Sequence, residues 1–172
     1  MRKTKSIQKL AEALHDADAV VVGAGAGLSA SAGFDYSGQR FTQWCEPWEK
    51  KYDVHDFYSA GFYSFSSPEE FWGLWSVSIL ANRYECGVGD VYVRLRELLE
   101  GKDYFVITTN VDHQFQRAGF DKKRLFYTQG DYGLFQCSKP CCQETYDNEE
   151  MVRAMYSSIE GTAISSDLVP LC

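Results

Sequence analysis

Residues 19–33 read Ala19-Val20-Val21-Val22-Gly23-Ala24-Gly25-Ala26-Gly27-Leu28-Ser29-Ala30-Ser31-Ala32-Gly33, and this stretch decides the fold class. Ala19–Val22 is a short, continuous apolar run rich in β-branched residues, the pattern of a buried parallel strand. A glycine-rich turn follows at Gly23–Gly27, and Leu28–Ala32 can start a helix. Glycines between a strand and a helix let the backbone approach a ligand closely. The first helical amides, with the helix dipole behind them, then point at a phosphate. Gly25-x-Gly27-x-x-Ala30 fits the loose dinucleotide fingerprint. The alternative is a tight strand-to-helix connection that binds nothing.

Upstream, Ile7, Leu10, Ala11 and Leu14 recur at helical spacing with Ser6 placed to cap, which predicts an opening helix. Downstream, residues 34–66 read as irregular. Ser67-Pro68-Glu69-Glu70 is a strong helix start, and the helix is expected to run through Leu80 with Phe71, Leu74, Trp75 and Ser78 along one side. A further helix over about Gly89–Glu100 ends at Gly101. Tyr104–Thr108 predicts a second buried strand, Asp112–Ala118 a short helix, and Leu125–Thr128 another short strand. Strands alternating with helices in this order specify a parallel α/β sheet of Rossmann-like type.

Two nucleotide folds are excluded by motif. A P-loop needs Gly-Lys followed by Ser or Thr, which the chain lacks. A dehydrogenase half needs a second strand ending in an acid about twenty residues after the glycines. That region is Trp44-Cys45-Glu46-Pro47-Trp48-Glu49-Lys50-Lys51, which does not read as a strand. The formal charge of −7 opposes non-specific binding to nucleic acid, because such binding neutralises phosphates with Lys and Arg. No signal-peptide core follows the basic start, and no run of about twenty apolar residues is present to span a bilayer. The expectation is a cytoplasmic chain with no membrane partner. The aromatic residues crowded between 34 and 75 fit either a large core or a ligand cleft.

Past the glycine turn, the residues resemble a known family. Gly25-Ala26-Gly27-Leu28-Ser29-Ala30-Ser31-Ala32-Gly33-Phe34, followed by Asp35-Tyr36-Ser37-Gly38, resembles the sirtuin cofactor loop. Thr108-Thr109-Asn110-Val111-Asp112 resembles the sirtuin Thr-Gln-Asn-Ile-Asp element. Ala118-Gly119, Gln129-Gly130 and a group of cysteines follow in the family's order. The departures are informative: Pro is missing before Asp35, Tyr36 stands for Phe, Ser37 for Arg and Thr109 for Gln. Gln129 stands where sirtuin deacylases place His. The wording Gly33–Gly38, Asn110–Phe115 and Gln129–Gly133 is similar to the macrodomain-linked class M sirtuins (SirTM).

The resemblance implies an NAD-dependent protein ADP-ribosyltransferase. A lipoylated glycine-cleavage H-like protein is the implied substrate, and a macrodomain protein a possible partner. Nicotinamide would leave the ribose through an oxocarbenium-like state. The implied cofactor-binding residues are Gly25, Ala26, Gly27, Ser29, Gly33, Asp35, Tyr36, Thr109, Asn110, Asp112 and Gln129. Of these, Asn110, Asp112 and Gln129 would carry the chemistry: Asn110 ordering the ribose and a water, Asp112 accepting from the nicotinamide amide. A plain helix cap is the alternative role for Asn110 or Asp112. A Gln amide has no usable pKa near neutrality, so Gln129 can hydrogen-bond but cannot serve as the base that deacylation requires.

Cys137 and Cys141 have the spacing for half of a tetrahedral structural zinc site, with Cys172 as the expected third ligand and Cys142 as a substitute. The resemblance divides residues 1–172 into a Rossmann-like NAD-binding part to about 135, with a helical insertion at 40–88, and the first part of a zinc module from about 136. On this expectation the chain stops before the strands that hold the adenosine half of NAD. A conventional deacylase and a non-catalytic remnant that binds a partner are the competing functional readings.

Overall fold

Ala19–Ala24 forms β1, which pairs in parallel with β2 (Asp103–Thr108), and β2 pairs in parallel with β3 (Leu125–Tyr127). The strand order is β1-β2-β3. A computed structural model of the chain describes residues 2–139 and 141–171. Its helices are α1 (Arg2–Asp16), α2 (Ala26–Ser31), α3 (Gln39–Tyr52), α4 (Phe57–Gly61), α5 (Pro68–Ile79), α6 (Asp90–Leu98), α7 (Gln114–Arg117) and α8 (Glu149–Ser157). A two-stranded antiparallel hairpin, β4 (Leu134–Gln136) and β5 (Thr145–Asp147), carries Cys137, Cys141 and Cys142 in its loop. No helix among the described residues is long and apolar enough to cross a membrane.

The register positions the site. Ala24 lies opposite Thr108, and Thr108 opposite Tyr127, so all three parallel strands end together. The segments that follow them, 25–29, 109–112 and 128–129, therefore leave one edge of the sheet, where open α/β sheets bind ligands.

Two apolar clusters flank that edge. Phe41, Cys45, Trp48, Phe57, Leu74 and Val77 pack together from α3, α4 and α5. Tyr92, Leu99, Tyr104, Val106, Phe115 and Leu125 pack under one face of the sheet. The aromatic residues between 34 and 75 thus divide their roles: Phe41, Trp48 and Phe57 are buried in the core, while Tyr36 and Trp75 line a cavity.

Several expectations need correction. Residues 34–66 are not irregular, because α3 and α4 lie within them. The helix α3 tolerates Pro47 by kinking at Cys45 (φ −122°, ψ 20°), which hid its period in the sequence. The helix α1 begins at Arg2, so Ser6 lies within it rather than capping it. The start of α5 is as expected: Ser67 accepts from the Glu70 amide at 3.3 Å, and Pro68 opens the helix. Its end differs, passing into a π turn at Leu80–Tyr84.

The strands are covered on one face only. Val21 is 70 % exposed, Phe126 56 %, Ile107 43 % and Phe105 40 %. Alternation along β2 shows why: Tyr104, Val106 and Thr108 face the packed cluster, while Phe105 and Ile107 between them are only partly covered by the described residues. Ile7 and Leu10 on α1 are exposed in the same way.

Candidate functional site

The glycine turn shows what it does not need. None of Gly23, Gly25 and Gly27 has a positive φ. A Cβ built on Gly23 or Gly27 would meet nothing within 4 Å, and one on Gly25 would stand in ordinary contact, 3.4 Å from Thr109 Oγ1. Neither backbone strain nor packing requires glycine there. Their effect is to leave open ground beside the first turn of α2.

Asn110 and Ser29 meet across the sheet edge. Asn110 Nδ2 lies 3.1 Å from the Gly25 carbonyl oxygen, 3.1 Å from Ser29 Oγ and 3.0 Å from the Tyr92 hydroxyl. Ser29 Oγ in turn donates to Asp112 Oδ2 at 2.5 Å and lies 2.8 Å from the Tyr92 hydroxyl. Asp112 is buried, and its Oδ1 accepts from the Gln114 amide at 3.1 Å. It therefore satisfies the first amide of α7 from one residue before the N-cap, His113, and is a member of the polar network at once.

A cavity of about 430 Å³ opens against this network. Ala26, Ser29, Thr109, Asn110 and Gln129 contribute its polar lining. The rest is largely aromatic, with Tyr36, Phe57, Trp75 and Tyr132 lining the interior and the exposed rings of Tyr58 and Phe62 also lining it. The volume is that of a small-molecule site, roughly 300–1,000 Å³. Tyr36 donates to the Tyr132 hydroxyl at 3.4 Å, and burial pushes both phenols above their ordinary values, so both stay neutral near pH 7. A larger depression of about 640 Å³ lies beyond α4, lined by Tyr52, His55, Asp56 and Tyr63 among others. It is open to solvent, and no residue expected at the site lines it.

The structure brings together most, but not all, of the expected residues. Ala26, Ser29, Tyr36, Thr109, Asn110 and Gln129 share the cavity, and Gly25 touches it through Asn110. Asp112 is not on the cavity wall and reaches it only through the Ser29 hydroxyl, because both of its oxygens are engaged within the protein. Gly27, Gly33 and Asp35 do not line the cavity. Gly33, at φ +87°, ends α2, and the Asp35 carbonyl accepts from Arg40 at 3.0 Å.

Sequence reasoning singled out neither the aromatic wall of Phe57, Tyr58, Phe62, Trp75 and Tyr132 nor the supporting residues Tyr92 and Arg40. Arg40 ties the 34–38 segment to the helical layer by donating also to Asn82 Oδ1 (2.8 Å) and the Ala81 carbonyl (2.7 Å). Tyr132 lies in the Gln129–Gly133 stretch but was given no role there; the others fall in no motif, and only helical phase could have placed Tyr92 toward the sheet.

His113, with a positive φ of 63°, hydrogen-bonds Asp131 and does not line the cavity. Asp131 also receives Arg83 Nε at 2.9 Å and the Gly133 amide at 2.8 Å. Burial alone would raise the Asp131 carboxyl, but His113, the Gly133 amide and Arg83 together hold it below the ordinary value.

The zinc expectation is not met by the residues in view. The Cys137 and Cys141 sulfurs lie 3.1 Å apart, Cys142 is exposed, and Cys172 lies outside the described residues. Among the described residues no group of three or more His, Cys, Asp or Glu side chains could hold a metal ion. Two thiols are half of a tetrahedral site, so no structural role is derived from zinc.

The parallel sheet, the loops gathered at its strand ends and the helical layer beside them make a sirtuin-like α/β fold. A solved Sir2 homologue in complex with NAD superposes with a TM-score of 0.60 at 20 % identity, over 81 % of this chain and 51 % of its own. No family model matches the chain. A protein ADP-ribosyltransferase of Staphylococcus aureus (strain Mu50) is 39 % identical over 170 residues, which is 99 % of this chain and 54 % of that protein. A probable bifunctional ADP-ribose hydrolase/ADP-ribosyltransferase of Fusarium oxysporum f. sp. cubense is 36 % identical over 140 residues, 79 % of this chain and 23 % of that protein. The chain spans about half the length of the first of these relatives.

Proposed function

We propose that this chain is the NAD-binding part of a sirtuin-type protein ADP-ribosyltransferase related to the class M group. The observation that supports it is the meeting of Ser29, Asn110 and Gln129 on one cavity at the strand ends. On this reading the amides around Ala26–Ser29 take the pyrophosphate and Asn110 takes the ribose. The Asp112 carboxylate acts through Ser29, its charge favouring the positive character that develops when the nicotinamide–ribose bond breaks. The leaving nicotinamide takes the bonding pair, and a nucleophile of the acceptor protein replaces it and loses its proton.

Gln129 favours transfer over deacylation. Its side chain makes no hydrogen bond among the described residues, so its amide is available to a ligand. It cannot remove a proton from a ribose hydroxyl. The acceptor is a protein, and the resemblance points to a lipoylated H-like carrier. The name of the fungal relative, which joins ADP-ribose hydrolysis to ADP-ribosyl transfer, supports a macrodomain-type partner that removes the mark.

Trp75 on the cavity wall is the reporter for the test. Titrating NAD should change tryptophan fluorescence and raise the melting temperature, and Trp75→Phe should remove most of the fluorescence change. A second reading, a non-catalytic binding fragment, is favoured by the uncovered face of the sheet. The absence of both responses at millimolar NAD would select that reading.

A further inference from the structure

Tyr92 belongs to none of the motifs, yet its hydroxyl stands at the centre of the polar network. The side chain is fully buried on α6 and meets Phe115 edge-on, with ring centroids 4.9 Å apart. Burial pushes the phenol up to about 12, so it keeps its proton near neutrality.

The protons in the network can be assigned one by one. Ser29 Oγ gives its single proton to Asp112 Oδ2, since an ionised carboxylate only accepts. The 2.8 Å contact between Ser29 and Tyr92 must then use the Tyr92 proton. This leaves the Tyr92 oxygen as an acceptor, and Asn110 Nδ2 donates to it at 3.0 Å. The second Nδ2 proton has the Gly25 carbonyl at 3.1 Å. Turning the amide over would set the Asn110 carbonyl against the Gly25 carbonyl and against a phenol oxygen whose proton is already committed. The network therefore fixes which way the amide faces. Asn110 Oδ1 makes no hydrogen bond among the described residues, and Asn110 lines the cavity.

We propose that Tyr92 is a positioning residue: by donating to Ser29 and accepting from Asn110, it locks the Asn110 carbonyl toward the cavity as an acceptor for a hydroxyl of the bound ligand. That the hydroxyl is a ribose hydroxyl of NAD rests on the function proposed above. The positioning itself does not.

Tyr92→Phe removes one oxygen and keeps the ring against Phe115. The first measurement needs no ligand. In a ¹H–¹⁵N spectrum, with Asn110→Asp used to assign the Asn110 side-chain signals, those protons should exchange with solvent at least about tenfold faster in Y92F than in the parent chain. Unchanged exchange overturns the proposal. The second measurement follows nicotinamide release from NAD, in which Y92F should lower kcat about tenfold while leaving KM within about twofold. A parent-like kcat overturns the catalytic consequence. Loss of melting temperature and NAD affinity in parallel, with the residual kcat unchanged, reduces Tyr92 to packing and also overturns the proposal. If the parent chain releases no nicotinamide, the functional reading fails, and the exchange measurement still decides the role of Tyr92.

Discussion

Gly27 and Gln129 separate ligand recognition from folding at the scale of single residues. Gly27 lies within α2, has no positive φ and would give a Cβ open space. Gly27→Ala should therefore leave stability unchanged or raise it by up to about 1 kcal/mol, since glycine is unfavourable inside a helix. On the proposed placement of the pyrophosphate at the amides around Ala26–Ser29, the same methyl group would crowd the cofactor from outside the cavity wall, so NAD affinity should fall by about tenfold or more. A variant that melts lower and binds NAD normally would contradict both halves. Gln129→His, in a version of the protein that carries transfer activity, should confer measurable deacylation, and no gain would remove Gln129 as the determinant of reaction type. Asp131 offers a test in pH. Its folded pKa is depressed, so its contribution to stability is present above the unfolded value of about 4 and is lost as pH falls through the folded one. Asp131→Asn should lower the melting temperature at pH 7 by roughly 2–10 °C and make the acid limb below pH 4 shallower. Thermal melts across pH 2–8 would check this, and a parent-like melt at pH 7 would refute it.

At the scale of elements, local chemistry predicted some features well and long-range packing hid others. The existence of β1, though not its expected burial, and the capped start of α5 were legible because their signals are local: a β-branched run, a capping Ser and Pro at the first helical position. The helix α3 was not legible from its own period, because Pro47 and the kink at Cys45 break it; only the resemblance implied helices over 40–88. Most of the site could be read from the Asn110 and Ser29 segments, which carry distinctive residue types. Tyr92, Trp75 and Tyr132 could not, because aromatic residues look the same whether they fill a core or line a cavity. Sequence also gave no hint that Asp112 would sit behind Ser29 rather than on the wall. Packing between elements makes its own prediction at Gly73, where a Cβ on α5 would stand 2.3 Å from the Thr162 carbonyl oxygen. That neighbour is backbone and cannot rotate away, so Gly73→Ala should cost about 1–3 kcal/mol, read as a lower midpoint in urea.

Over the whole molecule, a well-packed site edge contrasts with a sheet whose second face is only partly covered. Parallel sheets are normally covered on both faces, and here Val21, Phe105, Ile107 and Phe126 remain open. The purified chain should bind a hydrophobic dye and self-associate with rising concentration. Paired Phe105→Lys and Ile107→Thr changes should reduce both effects while shifting the melting temperature little, as sedimentation and calorimetry would show. Equal self-association in the double variant would place the sticky surface elsewhere. The common ending of the three strands has a further practical consequence. Sliding β2 by a single position against β1 would keep parallel backbone pairing while turning Tyr104, Val106 and Thr108 out of the core and Asn110 away from Ser29. A far-UV spectrum would hardly distinguish the two arrangements. Refolding protocols for this chain should therefore be judged by ligand response, with helical content taken as a necessary sign only.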